Sequence, residues 1–254
     1  MNTLTFLRTT VALALAALVF SCSKDDDNME PKTGYFAKTI KLTDENGSLI
    51  EDITLEYDPH NRLIKETFER EYGNRTMLTY DYNEKGQITA YRQDGDLLYR
   101  FVYEDNIMTK RLKYNTGTGS ILEELPVSFS NGIYTMDDID ICKTDNQTQL
   151  LELSGAQPVF LSYGTENGIH ANLTLSPTRY LIDEFRGTNI YLYDLILSNK
   201  EFKGLALEND NFFIENTRNE KGLISKAVGA RESSGEVELI WHIEYEERNL
   251  LSGQ

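Results

Sequence analysis

A short turn motif recurs along this sequence and limits its fold more than any other feature. The motif opens with Asp or Asn and has glycine three residues later, as in Asn83-Glu84-Lys85-Gly86 and again in Asn219-Glu220-Lys221-Gly222. The Asp or Asn side chain bonds the backbone of a type I turn, and glycine adopts the positive φ that returns the chain as a hairpin. The pattern occurs also at 44–47, and at 58–61 with Asn61 in the glycine place. The motif therefore predicts successive antiparallel hairpins.

Runs of alternating apolar and polar residues lie between these turns and are rich in Tyr, Phe, Val, Ile and Thr. Alternation at period two is typical of half-buried antiparallel strands. The runs cover 53–58, 78–82, 98–104, 108–114 and 238–245. Further turn signals stand at Asp94-Gly95, Asn131-Gly132, Asn167-Gly168 and Gly73-Asn74. We expect about fifteen strands, and a meander of that size curls strongly.

The predicted fold class is therefore all-β, an antiparallel meander curled into a half-barrel or porin-like sheet, with at most one or two short helices. Residues 176–185 are the one helix we expect, because Ser176 and Pro177 form a good helix start. Residues 189–197 are predicted to be a buried strand. The β domain is assigned to 35–254, and a division into two halves near residue 125 is left open.

The N-terminus has the features of an export signal. Arg8 precedes an uncharged apolar segment from Val11 to Phe20, which is too short for the roughly 20 residues of a membrane-spanning helix. The segment has the length and flanks of a signal-peptide core. We assign residues 1–21 to a signal peptide.

Cys22 follows the apolar segment after Ser21, and the stretch Val19-Phe20-Ser21-Cys22 resembles a bacterial lipobox with Cys22 as its lipidated cysteine. Stable anchoring requires more than one acyl chain, at about 0.8 kcal/mol per buried methylene. Residues 22–34 then form an acidic, flexible tether. Its start resembles the surface-export signal of Bacteroidetes lipoproteins and consists of Ser23, Lys24, Asp25, Asp26 and Asp27. The expected location is the outer membrane, exposed at the cell surface, with a periplasm-facing orientation as the alternative.

The stretches Tyr57-Asp58 and Tyr80-Asp81-Tyr82-Asn83 resemble the Tyr-Asp (YD) repeats of bacterial surface proteins. Together with the lipobox, they resemble a Bacteroidetes lipoprotein family with such repeats and a porin-like or half-barrel sheet. The match is clearest over 44–114 and 216–245. This resemblance implies a fold and a location, and it implies no catalytic residues.

Charge and composition exclude some partners. The formal net charge is −16, and the chain has no cluster of Lys and Arg, which phosphate binding requires. Nucleic-acid binding is therefore not expected. No cofactor-binding or metal-binding motif is present either, so we expect neither group.

Three histidines, His60, His170 and His242, are the first candidates for chemistry, and their spacing matches no zinc or catalytic motif. The acidic segment 136–145 offers oxygen ligands for calcium, but its alternation better predicts a strand with one polar face. Cys142, in that segment, has no evident base beside it. We therefore do not expect an enzyme.

The leading hypothesis is a non-enzymatic surface binding or accessory module for a glycan, peptide or envelope protein. Exposed tyrosines are one way to bind such a ligand, through their ring faces. The alternative is a periplasmic carrier in which the concave face of a half-barrel holds a lipid or another apolar ligand.

The export signal predicts where a protease reaches the protein. On intact cells, added protease should cleave the native protein but should spare a variant in which Asp25, Asp26 and Asp27 are changed to Ala. Cleavage of both after lysis is the control for intrinsic sensitivity. Protection of both forms on intact cells would contradict surface exposure and favour the carrier.

Overall fold

The chain forms a closed antiparallel barrel, seen in a computed structural model that describes residues 32–70, 73–145, 149–154, 158–173 and 198–250. Within these ranges sixteen strands follow one another in sequence order, and the last pairs with the first. The strands are β1 (Thr33–Thr43), β2 (Leu49–Tyr57), β3 (Leu63–Arg70), β4 (Arg75–Tyr82), β5 (Ile88–Gln93), β6 (Asp96–Glu104), β7 (Ile107–Tyr114), β8 (Ile121–Ser130), β9 (Ile133–Met136), β10 (Ile139–Asp145), β11 (Gln149–Leu153), β12 (Val159–Asn167), β13 (Lys200–Ala206), β14 (Asn211–Arg218), β15 (Ile224–Arg231) and β16 (Val237–Asn249).

The predicted all-β meander is confirmed, and the half-barrel is wrong. The sheet closes because β1 and β16 pair from Thr33–Asn249 to Thr43–Ile240. None of the described residues is helical. The predicted helix at 176–185 and the predicted strand at 189–197 lie outside the described residues. No helix in the described part of the chain is long and apolar enough to cross a membrane.

The barrel has two ends, which we name from the path of the chain. At the entry end the chain enters β1 at Thr33, and there it also turns back between strands at 58–62, 83–87, 105–106, 131–132 and 219–223. At the far end the turns are 44–48, 94–95, 115–120, 137–138, 207–210 and 232–236.

The four repeated turns have the geometry that their motif predicts. In the Asn83 turn, the side-chain oxygen accepts the N–H groups of Lys85 and Gln87, both at 3.0 Å, and Gly86 has φ of 77°. The other three repeat this arrangement, with φ of 82° at Gly47, 59° at Asn61 and 76° at Gly222. The Asp94-Gly95 and Asn131-Gly132 turns have positive φ at both residues, as expected. Asn167-Gly168 is not a hairpin turn, and a longer segment follows it.

Four tyrosines make the same hydrogen bond to a β-bulge, and two of them, Tyr57 and Tyr82, directly precede a repeated turn. Tyr82 donates its hydroxyl to the carbonyl of Leu63 at 2.7 Å, and Leu63 precedes the extra residue of a β-bulge. A bulge interrupts the ladder of hydrogen bonds, and the hydroxyl supplies a donor at that point. The same bond, beside the same kind of bulge, occurs three more times, as Tyr57 to Ala37, Tyr103 to Ile88 and Tyr245 to Ile224.

The interior of the barrel is a packed apolar core. Inward-facing side chains such as Phe36, Ile53, Phe202 and Trp241 are buried and belong to one continuous cluster. A sixteen-strand barrel of the porin kind encloses an aqueous channel instead. The inner face is therefore the hydrophobic core of the domain.

A segment between β12 and β13 covers part of the entry end. Ile169, His170 and Leu173 are buried there, and the N–H of His170 bonds the carbonyl of Ser198 at 3.1 Å. The Asn172 amide reaches β1 and donates to the carbonyl of Tyr35 at 3.0 Å. This segment connects one wall of the barrel to another.

The outer face of the wall carries charges that pair across neighbouring strands. Lys65 contacts Glu56 at 2.6 Å, Arg92 contacts Asp81 at 3.3 Å, and Lys110 pairs with Glu124. A barrel embedded in a membrane presents an apolar band there. At these positions the outer face carries paired charges instead.

The bond between a tyrosine and a bulge predicts a measurable stabilisation. Changing Tyr245 to Phe should lower the free energy of unfolding by about 1 kcal/mol, because the Ile224 carbonyl loses its donor. Tyr114 to Phe is the matched control, since the Tyr114 hydroxyl has no hydrogen bond among the described residues. Urea unfolding followed by the fluorescence of the single, buried Trp241 measures both. Equal losses in the two variants would contradict the role of the bond.

Candidate functional site

The predicted lipid-attachment and export residues, Cys22 and Ser23 to Asp27, lie outside the described residues. Their roles stay predictions.

The three histidines do not form a site. His60 is exposed in the turn between β2 and β3, His242 is exposed on β16, and His170 is buried in the segment after β12. Among the described residues, no group of three or more His, Cys, Asp or Glu side chains is arranged to hold a metal ion.

The acidic segment 136–145 is a turn followed by a strand, not one continuous strand. Asp137 and Asp138 have φ of 53° and 59° and form the two central residues of the turn between β9 and β10. A register shift between Asp140 and Cys142 then directs Asp140 to the solvent and Cys142 to the core. The alternation predicts a strand with one polar face, and the structure differs from this prediction at the turn and at the bulge before Cys142.

Cys142 is a structural thiol and not a nucleophile. Its side chain is 0% exposed, and desolvation by burial raises its pKa from 9.0 to about 12. A nucleophilic cysteine requires the opposite, an accessible thiol with a lowered pKa. Cys142 contacts the core instead, opposite Tyr134 in the ladder.

The tyrosines point mainly into the barrel, and none in the described ranges is more than partly exposed. Tyr80, Tyr91 and Tyr99 form a row on the inner face of β4 to β6, with ring centroids 5.7 and 6.0 Å apart. Tyr80 also donates its hydroxyl to Glu66, which is fully buried, at 3.0 Å. The row strengthens the core, and these tyrosines do not form the exposed gripping surface that the sequence suggested.

The buried side chain of Arg111 lies beside Tyr99, at one end of this row of tyrosines. The Arg111 guanidinium lies 5.0 Å from the centroid of the Tyr99 ring and 3.1 Å from a carboxylate oxygen of Glu123. Arg111 is 2% exposed, so its charge is compensated inside the protein by the ring and the carboxylate. These contacts stabilise the buried charge within the fold. Arg111 also has further interaction partners.

Several large apolar side chains are exposed on the surface and are not buried by packing within the barrel. All of the large ones except Val102 and Ile107 lie at the far end, and we call them the far-end rim: Leu49, Ile50, Ile121, Leu122, Ile139, Phe160, Leu207 and Phe213. Phe160 and Phe213 are each 51% exposed on the outer wall. Scattered exposed apolar residues are common in proteins, and these lie on β2, β8, β10, β12 and β14 and directly after β13, all at one end of the barrel.

The sequence contains a signal for these phenylalanines that the turn and strand patterns overlook. Phe212-Phe213 and Val159-Phe160 are consecutive apolar pairs within strands. Since neighbouring residues in a strand face opposite sides, one member of each pair must point outward. Phe212 and Val159 are buried, and Phe213 and Phe160 are the outward members.

Comparisons with known proteins show weak likenesses only. No protein-family model matches the chain, and no curated protein matches it. A porin-like protein from Bacteroides uniformis gives a TM-score of 0.35 at 13% identity, covering 83% of this chain and 98% of that chain. A porin-like protein from Bacteroides vulgatus gives 0.36 at 10% identity, covering 83% and 99%. The TcdB2-TccC3 structure gives 0.29 at 11% identity, covering 78% of this chain and 10% of that chain. Likenesses of this strength carry no function or location to this protein.

The burial of Cys142 predicts its reactivity. In a Cys22→Ala variant of the full chain, iodoacetamide at pH 8 should leave Cys142 unmodified in the folded protein and should alkylate it completely in urea. The thiol is inaccessible and protonated in the fold, whereas unfolding restores its ordinary pKa and its exposure. Mass spectrometry counts the adducts, and one adduct formed under native conditions would contradict the assigned burial.

Proposed function

We propose that this protein is a lipid-anchored protein of the bacterial outer membrane and cell surface that acts as a non-enzymatic binding or accessory module. In this proposal the barrel stands in water beside the membrane and binds a glycan, a peptide or an envelope protein through the far-end rim. The concentration of exposed apolar residues at that one end is the observation that carries the proposal.

The polarity of the wall supports a barrel that is not embedded. Outward positions on β2, β3, β7 and β8 carry the charge pairs Glu56–Lys65 and Lys110–Glu124. Burying such pairs in hydrocarbon costs several kcal/mol per charge. An anchor is therefore the proposed means by which the domain stays at the membrane.

The carrier hypothesis loses the feature on which it was based. It was based on the uncovered concave apolar face of a half-barrel. The described strands close instead, and the inward side chains, among them Ile40 and Leu55, pack into the core. We therefore favour binding on the outside of the wall.

Binding arrays test the proposal. The full chain, purified in detergent, should bind at least one member of glycan and envelope-protein arrays. A variant with Ile121, Leu122, Phe160 and Phe213 changed to Ser should bind that member about tenfold more weakly, because apolar contact residues dominate binding energy.

The matched control changes Val102 and Ile107 to Ser, since these two exposed residues lie outside the rim. It should retain the native affinity, and circular dichroism should show native folding for both variants. A native protein that binds no array member at high micromolar concentration would contradict a binding function. An equal loss in the control would contradict the rim as its site.

A further inference from the structure

Phe160 and Phe213 lie on the two strands that flank β13, both exposed on the outer face and two ladder positions apart. In the ladder Phe160 pairs with Ala206, and Phe213 pairs with Gly204. The strands that carry the two rings are separated by one strand, so their backbones are about 10 Å apart. Between the rings β13 contributes only Gly204 and Ala206, and we call these four residues the Phe160–Phe213 trough.

Glycine is required at position 204 by the backbone. Gly204 has φ of 145°, and a Cβ atom there would collide with the carbonyl oxygen of Phe212. No side chain can therefore project from this position and fill the space between the rings. The shape of the trough is a consequence of the close approach of β13 to β14.

The mode of recognition follows from closure of the sheet. β13 pairs with β12 on one side and with β14 on the other, so its backbone groups are engaged in the ladder. A partner cannot add a strand at this place, because strand addition requires a free sheet edge. Contact with the trough must be made by side chains.

Two carboxylates flank the trough, and neither is neutralised by the described part of the protein. Glu152 lies opposite Phe160 in the ladder between β11 and β12, and Glu215 follows Phe213 by two residues on the same face. Neither side chain has an ion pair or a hydrogen bond among the described residues. Lys143 pairs with Glu152 in the ladder, but their charged groups do not come within 4.0 Å. The nearby cation Lys203 is already occupied by Glu201 at 2.9 Å.

We propose that the Phe160–Phe213 trough is the docking site for an extended segment of a partner protein that inserts an apolar side chain between the two rings and places Lys or Arg beside Glu152 and Glu215. This inference rests on the proposed binding function and names its partner class. The apolar walls select the inserted side chain, and the carboxylates select the charge next to it.

Charge argues against two other occupants of the trough. A second copy of this chain carries the same net charge of −16, and an anionic lipid surface also repels Glu152 and Glu215. Both would bring like charges together. A cationic segment gains attraction at the same two positions.

A short dye-labelled peptide of alternating leucine and lysine is the probe, and fluorescence anisotropy with the full chain in detergent is the measurement. The native protein should bind it, and a leucine–glutamate peptide should not bind. Changing Phe160 and Phe213 to Ser should weaken binding about tenfold. Changing Glu152 and Glu215 to Gln should weaken binding and reduce its dependence on salt.

Two matched controls separate the trough from general attraction to an acidic protein. The double variants Val102→Ser with Ile107→Ser, and Glu84→Gln with Glu220→Gln, alter exposed residues elsewhere and should bind the peptide like the native protein. Losses in these controls equal to those in the trough variants would overturn the proposal, as would equal binding of the leucine–glutamate peptide.

Further outcomes distinguish this inference from the function on which it rests. An array ligand that is lost with Ile121→Ser and Leu122→Ser but retained with Phe160→Ser and Phe213→Ser would overturn the trough and leave the binding function standing. If no array member bound the native protein, both the binding function and the trough would be overturned.

Sedimentation tests whether a second copy occupies the trough. Dimerisation that is abolished by Phe160→Ser and Phe213→Ser would assign the trough to a second copy. Retention of a Cys22→Ala variant on anionic vesicles, lost with the same changes, would assign it to lipid.

Discussion

Pairing of β1 with β16 is the interaction on which the rest of the structure depends. These are the longest strands, 11 and 13 residues, and their pairing leaves no open edge in a sheet of short strands. Arg248 strengthens this seam at the entry end, because its guanidinium donates to the Asn61 side chain at 2.9 Å and to the Asp58 carbonyl at 2.8 Å. The seam is thereby joined to the second repeated turn, at 58–61. Without closure, the apolar inner face would be open to water along its whole length.

Closure also explains where sequence-based prediction succeeds and where it fails. Turns and strands are local, so Asn83 with Gly86 and the alternation of 98–104 predict the hairpins correctly. Nothing local distinguishes a strongly curled sheet from a closed one, since that depends on a pairing between strands at opposite ends of the domain. The inward face was predicted to be apolar, and an apolar face of that extent is most stable when the sheet encloses it completely. The half-barrel was wrong for this reason.

Bulges account for the errors at the level of single residues. The alternation of a strand tells which residues face the core and which face the solvent only as long as the pairing register is unbroken. One extra residue at a bulge reverses this assignment for the residues that follow it. Cys142 follows such a shift, which is why it lies in the core while Asp140 faces water. The tyrosines are a related case, because Tyr57, Tyr82 and Tyr245 serve bulge carbonyls inside the barrel and are not available on its surface. For Phe160 and Phe213 the signal was present, as two adjacent apolar residues in one strand.

The two ends of the barrel thus differ for a physical reason. At the entry end, tyrosine hydroxyls such as those of Tyr82 and Tyr245 donate to bulge carbonyls, and Ile169 and Leu173 are buried against the barrel. The far end has no such cover among the described residues, and its rim leaves apolar area in water that folding does not bury. Such area stabilises a complex more than it stabilises the free protein. A ligand is therefore expected at the far end, and the uncompensated charges of Glu152 and Glu215 then decide which kind of partner gains most by binding there.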